Sequence, residues 1–299
     1  MTGPERGFLL LCSHLGNPDR KPLTVSQLRT LAQRARSMEK PVQIRDLEAA
    51  DLQALGYNPE MALRIQSLLE EGELLDHYLK RGRSFGCEPV VRISAEYPLI
   101  LRKRLGLDAP GCLWAKGDLS ILKQPAVALV GSRDLKDANR IFAQAVGTQA
   151  AKQGITLVSG NARGADRAAQ SACLAAGGYV ICIVADELAQ HPVQERVLYL
   201  SEEDFDEPFS SLRALSRNRC IHALGQMTYV AQCRENKGGT WDGTMKNLRH
   251  GWSTVACFRD GSEASFRLEE MGAYLVDTED LSDLPMLAQT EISLFDDLF

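Results

Sequence analysis

VALVGSRDLKDANRIFAQAVGTQAAKQGITLVSGNARGAD, from Val127 to Asp166, is the stretch that decides the fold. Two short apolar runs, Val127–Val130 and Ile155–Val158, have strand length and close on small polar turns, GSR at Gly131–Arg133 and SG at Ser159–Gly160. Between them, apolar or small residues at Ala138, Ile141, Phe142, Ala145, Val146 and Ala150 have the spacing of a helix with one buried face. Strand, turn, helix and strand make a parallel pair, and open parallel sheets bind ligands at the carboxyl ends of their strands. Both turns lie at that end, each with an arginine, Arg133 or Arg163, near a helix start, so the expected ligand is an anion.

The chain has 299 residues, enough for a large domain and a smaller one. Its net charge of −5 excludes a general basic coat, so a nucleic-acid site has to be a local patch. Eight cysteines are scattered without a CxxC pair and sit mostly in apolar runs, the pattern of reduced core residues in a cytoplasmic protein. The apolar run Phe8–Cys12 is too short for a signal peptide and no window has the length of a membrane span, so no membrane partner is expected. No HExxH, P-loop or cysteine–histidine cluster is present, and neither a metal nor a cofactor is expected.

Working outward, residues 1–85 read as a small all-helical domain of the helix-hairpin-helix or SAM-like sort. Thr24–Gln27 opens a helix with a capping pattern, a second fits Ile44–Leu55, and a third runs Glu60–Lys80 after the Gly56–Pro59 break. Residues 86–280 read as a doubly wound, mostly parallel α/β domain. Its further strands are placed at Pro89–Ile93, Pro110–Lys116, Tyr179–Val184, Thr228–Cys233, Thr254–Phe258 and Tyr274–Val276, and its helices at Ala165–Ala176, Arg217–Leu224, Thr244–His250 and Phe266–Met271. Residues 281–299 are expected to be an acidic flexible tail.

The motif order resembles that of the DNA-processing protein A (DprA/Smf) family over roughly residues 86–262. EYPLILRK at Glu96–Lys103, LWAKGD at Leu113–Asp118, VGSR at Val130–Arg133, SGNARGAD at Ser159–Asp166 and SRNRCIHAL at Ser216–Leu224 follow the family order, and KGGTWDGT at Lys237–Thr244 is similar to its last glycine-rich loop. The resemblance implies an extended Rossmann-like fold, a non-enzymatic single-stranded DNA-binding protein, a recombinase as partner in natural transformation, and a homodimer. No winged-helix domain is expected in the remaining residues.

Gly131, Ser132, Arg133, Ser159, Gly160, Arg163, Arg217, Asn218, Arg219 and Lys237 are the candidate nucleic-acid-binding residues. The glycines clear space for backbone N–H groups, the serines add donors, and the arginine forks suit phosphate oxygens. Simpler roles compete: Asp166 as a first-turn or cap residue, Asn218 as a backbone brace, His191 as a turn residue, Trp241 as either a base-stacking ring or a lid. The sequence departs from the family at Gln170, Gln232, Gly238–Trp241 and Arg259–Gly261. Those departures keep two alternatives open: an antitoxin or regulatory partner of a phosphoribosyltransferase-like toxin in antiviral defence, and a nucleotide-binding sensor or nucleotide-cleaving enzyme. For the last, the loop at 238–244 offers only Asp242 where the chemistry needs a glutamate. The end EISLFDDLF resembles short clamp-docking peptides, with Leu294, Phe295 and Phe299 as contacts.

Overall fold

A computed structural model describes residues 1–37 and 47–284. Its centre is a nine-stranded sheet in the order β1-β2-β6-β5-β4-β3-β7-β8-β9. The strands are β1 Glu88–Val91, β2 Cys112–Lys116, β3 Ala126–Val130, β4 Thr156–Ser159, β5 Val180–Ile183, β6 Val197–Ser201, β7 Met227–Val230, β8 Thr254–Phe258 and β9 Tyr274–Val276. Only the β1–β2 and β2–β6 pairings are antiparallel, and all others are parallel. The expected mostly parallel, Rossmann-like α/β fold is therefore present.

Both sheet faces are covered, which is why β2 to β7 are buried along their whole length. Alternation sends Val127 and Leu129 of β3 to one core and Ala126, Ala128 and Val130 to the other. The first core is filled by α7 (Asp137–Lys152) and α8 (Ala165–Ala175), together with α1 (Gly3–Cys12) and α5 (Gly72–Ser84). The second is filled by α6 (Leu99–Leu105), α10 (Asn218–Leu224), α11 (Gly238–His250) and α12 (Glu263–Glu270). Helix α7 starts close to the predicted helix, but Asn139, Ala143 and Gly147 share its buried face while Ile141 is exposed.

A third core joins α1 to α2 (Val25–Arg36), α3 (Ala49–Ala54) and α4 (Pro59–Glu70). Thr24 and Gln27 form the capping box expected of α2. The single helix expected over Glu60–Lys80 is two, α4 and α5, because the chain leaves helical geometry at Glu71, ψ 37°. That break lets α5 turn onto the sheet, where Tyr78, Trp114 and Phe205 form a ring cluster with centroids 4.7–5.5 Å apart. Buried Asp204 closes the junction by accepting from Ser13 Oγ at 2.7 Å, Gly16 N–H at 3.0 Å and Trp114 Nε1 at 3.2 Å.

Two further expectations change. Val197–Ser201, to which the sequence pattern assigns no strand, is β6 and bridges β2 and β5. Lys237–Thr244, read as a glycine-rich loop, is the cap and first two turns of α11. Leu281 and Leu284 are buried in the first core. The docking residues Leu294, Phe295 and Phe299, and the start of the helix expected at Ile44, lie outside the described residues. Among the described residues no helix is long and apolar enough to cross a membrane.

Candidate nucleic-acid interface

The sheet order reverses between β3, which leads through α7 to β4 on one side, and β7, which pairs on the other. A switch point of this kind leaves a crevice at the strand ends. Here its volume is about 880 Å³, and it is walled by the turn after β3, the turn after β7, α9 (Ser211–Ser216), α10 and the start of α11.

The Gly131–Arg133 turn is held from a distance. Ser132 N–H donates to the Gln232 carbonyl at 2.9 Å, and the Gln232 side chain accepts from Lys136 N–H at 2.9 Å and donates to the Asp134 carbonyl at 3.2 Å. Gly131 is required because a Cβ there would stand 2.4 Å from that of Ala165, so its bareness admits α8. Gly164 has φ +81°, and a Cβ there would stand 2.4 Å from the Ser132 and Arg133 carbonyl oxygens.

In the turn after β4, Asp166 accepts from the N–H groups of Gly160 and Ala162, both at 3.1 Å. The Gly160 amide, expected to approach a phosphate, is therefore engaged within the loop, as is that of Ala162. Burial pushes the Asp166 carboxyl above its ordinary range, against the pull of Arg217 and the two amides. Ser159 is fully buried and its hydroxyl accepts from Gln170 Nε2 at 2.5 Å.

Arg217 links this turn to the opposite wall, donating through Nη2 to the Gly160 carbonyl at 3.0 Å. Only 7 % of its surface is exposed, and burial lowers its pKa against the raising influence of Asp166, Glu202 and Asp186. Gly160 makes room for it: a Cβ there would lie 1.8 Å from Nη1. Gly160→Ala should therefore expel the guanidinium and cost about 3 kcal/mol of stability, checked by urea unfolding.

Arg219 goes elsewhere. Two residues along a helix point to opposite sides, and Arg219 pairs with Glu202 at 2.9 Å and donates to the Asp108 carbonyl at 3.0 Å. Arg163 is also outside the crevice lining, exposed and 3.4 Å from Asp134. Of the residues named from sequence, Gly131, Ser132, Arg133, Arg217, Asn218 and Lys237 line the crevice, whereas Ser159, Gly160, Arg163 and Arg219 do not.

Sequence reasoning missed Arg234, which leaves the end of β7 much as Arg133 leaves the end of β3, and which also lines the crevice. It also missed the start of α11. Lys237 supplies no side-chain cap, so the N–H groups of Gly238, Gly239 and Thr240 remain as donors at the crevice wall. The two later glycines serve packing: a Cβ on Gly239 would stand 3.1 Å from Leu215 Cδ2, and one on Gly243 3.1 Å from His222 Nε2. Thr240 Oγ1 then fastens α11 to the first turn through the Gly131 carbonyl at 3.0 Å.

Arg133, Arg217, Arg234, Lys237 and Lys246 face Asp134, Asp166 and Asp242 across the lining, an excess of positive charge. Lys246 is paired with Asp242 at 2.8 Å and Arg217 is buried against the Gly160 carbonyl, so the exposed cations left for a ligand are chiefly Arg133, Arg234 and Lys237. Asn218 donates to the Gly239 carbonyl at 3.2 Å, a brace between α10 and α11. Trp241 is buried beneath α11 and has no face to offer a base. His191 ends a turn, 2.8 Å from Asp186 and stacked on Tyr199. Among the described residues no group of three or more His, Cys, Asp or Glu is placed to hold a metal.

The family model for DNA recombination-mediator protein A matches residues 88–282. DNA processing protein DprA of Streptococcus pneumoniae is 32% identical over 182 residues, 56% of this chain and 64% of that protein. Protein Smf of Escherichia coli is 29% identical over 146 residues, 44% of this chain and 38% of that protein. The matches thus span less than two thirds of each curated relative. The X-ray structure of the Streptococcus pneumoniae protein superposes with a TM-score of 0.71 at 24% identity, covering 94% of this chain and 97% of that one. A DNA processing protein A structure from Helicobacter pylori, described for its single-stranded DNA binding mode, gives 0.55 at 21% identity over 69% and 96%. At these identities the superpositions show a shared fold.

Proposed function

The chain belongs to the DNA recombination-mediator protein A family, as its motif order led one to expect, and from that premise we propose that it holds single-stranded DNA in the switch-point crevice. The observation that carries this reading is the convergence of Arg133, Arg217, Arg234 and Lys237 with the uncapped start of α11 on one concave surface. Phosphates recognise such donors without regard to sequence, and the affinity falls as salt rises. The apolar part of the surface favours unpaired bases over a duplex. Leu215 lines the crevice, and Leu212 and Phe209 stand exposed just before it at 78 % and 56 %. Base faces are free to lie on such surface only when they are unpaired.

The reading is of a binding protein and not an enzyme. Asp166 is engaged by two amides and Asp242 by Lys246, which supports a role in shaping charge rather than in moving protons. A recombinase as the partner that receives the strand, and a homodimer as the working form, belong to the same proposal through the family.

The test is fluorescence anisotropy with a labelled single-stranded oligonucleotide, competed by duplex of the same length and by a free nucleoside monophosphate. The expected result is tight, salt-sensitive binding that single strand displaces at least ten-fold better than either competitor. Displacement by the mononucleotide at equal concentration would instead favour the nucleotide-sensor reading.

A further inference from the structure

Beyond Cys233 and Arg234 a second concavity of about 470 Å³ continues the crevice, sharing Asp134, Cys233 and Arg234 with it. Its charge is reversed: Asp134, Glu235, Asp260 and Glu263 stand against Lys136 and Arg234. The helix starts differ in the same sense. Whereas α11 offers bare N–H donors to the crevice, α12 is capped by Ser262, whose hydroxyl accepts from Ser265 N–H at 3.2 Å, and Asp260 accepts from Ser262 N–H at 3.0 Å. Asn139 Nδ2 holds Asp260 in place at 2.8 Å. A phosphate moving past Arg234 therefore meets carboxylates and an occupied helix end.

We propose that this reversal is a specificity device that stops the bound strand at Arg234, so that single-stranded DNA is confined to the α9–α11 side and its occluded length is set by repulsion from Glu235 and Glu263. The inference rests on the crevice reading above. Repulsion that rejects one path while attraction marks another is a general route to a defined register. Exposed carboxylates suffice for it, because a polyanion cannot shed its charge to pass them. Lys136, inside the acidic concavity, is the cation that a longer track would reach once the repulsion is removed.

The test is Glu235→Gln plus Glu263→Gln in the full chain. Both residues are exposed and neither lines the basic crevice, and Asp260 is left in place for its structural bonds. Glu269→Gln plus Glu270→Gln, at the far end of α12, removes the same charge as a control. Oligonucleotides of increasing length are titrated and the salt dependence is measured for each chain. The 235/263 pair is expected to lengthen the shortest oligonucleotide that gives full affinity and to steepen the slope of log K against log salt by about 0.7 per phosphate gained. The control pair should keep the wild-type length. An unchanged length and slope in the 235/263 pair, or the same change in both pairs, overturns the proposal. A wild-type chain that binds no oligonucleotide overturns the crevice reading and takes this proposal with it, an outcome distinct from wild-type binding with an unaltered footprint.

Discussion

Arg133→Ala combined with Lys237→Ala is expected to lower affinity for a single-stranded oligonucleotide on the order of 100-fold at about 0.1 M salt. Each side chain lines the crevice, each is exposed, and neither belongs to the core, so the loss should appear without unfolding. Two charge-assisted phosphate contacts removed at roughly 1.5 kcal/mol each account for the magnitude. The salt dependence carries a second signature: the slope of log K against log salt should flatten by about 1.4, two contacts at about 0.7 each for a single strand. Arg163→Ala, outside the crevice lining, should leave that slope where it was. Anisotropy titrations at several salt concentrations check both numbers, and equal losses for all three arginine and lysine positions would sink the assignment.

His222 sets the second large effect, on stability as a function of pH. It is almost wholly buried under α11, with Nδ1 3.2 Å from Thr228 Oγ1, in a chain that continues from Thr228 to Ser253 at 2.8 Å and from Ser253 to Asn247 at 3.0 Å. Burial, with help from the Arg217 charge, pushes its pKa down to about 3. The folded chain thus keeps the ring neutral while the unfolded chain takes up a proton below about 6.5. Its contribution is fully present above that pH and is lost as pH falls from about 6.5 toward 3. At pH 5 the loss amounts to about 2 kcal/mol relative to pH 7. Asp166 acts in the opposite sense, because a carboxyl raised by burial is relieved by protonation as pH falls. The His222 share is therefore read as a difference: in urea unfolding, His222→Gln should shrink the fall in stability between pH 7 and pH 5 by about 2 kcal/mol, and an unchanged fall would show that the ring does not titrate as buried.

Much of this architecture is written in local pattern. The Val127–Asp166 stretch alone predicts a strand, a helix and a second strand in parallel, and with them the end of the sheet where the crevice opens, because strand and helix periods are properties of a few adjacent residues. The mostly parallel sheet was legible for the same reason, and the family resemblance from the order of short motifs such as VGSR and SGNARGAD. The capping box at Thr24 and Gln27 needs only residues three apart.

What the tertiary structure decided was which of the named groups remain free for a ligand. Arg217 and Arg219 look equivalent in the chain, yet Arg217 lines the crevice, tied to the Gly160 carbonyl, while Arg219 is held by Glu202, because opposite sides of the α10 start meet different elements. Gly160 and Ala162 carry the amides one would choose for a phosphate, but Asp166 occupies both once α8 is docked. Gly239 and Gly243 read as a loop and prove to be the face on which α11 meets α9 and α10. The strand Val197–Ser201 gains its meaning only from partners on both sides. Periodicity is carried by neighbours in sequence and can be read directly, whereas a donor's freedom depends on acceptors such as the Gln232 carbonyl, which reach Ser132 only after the sheet has formed.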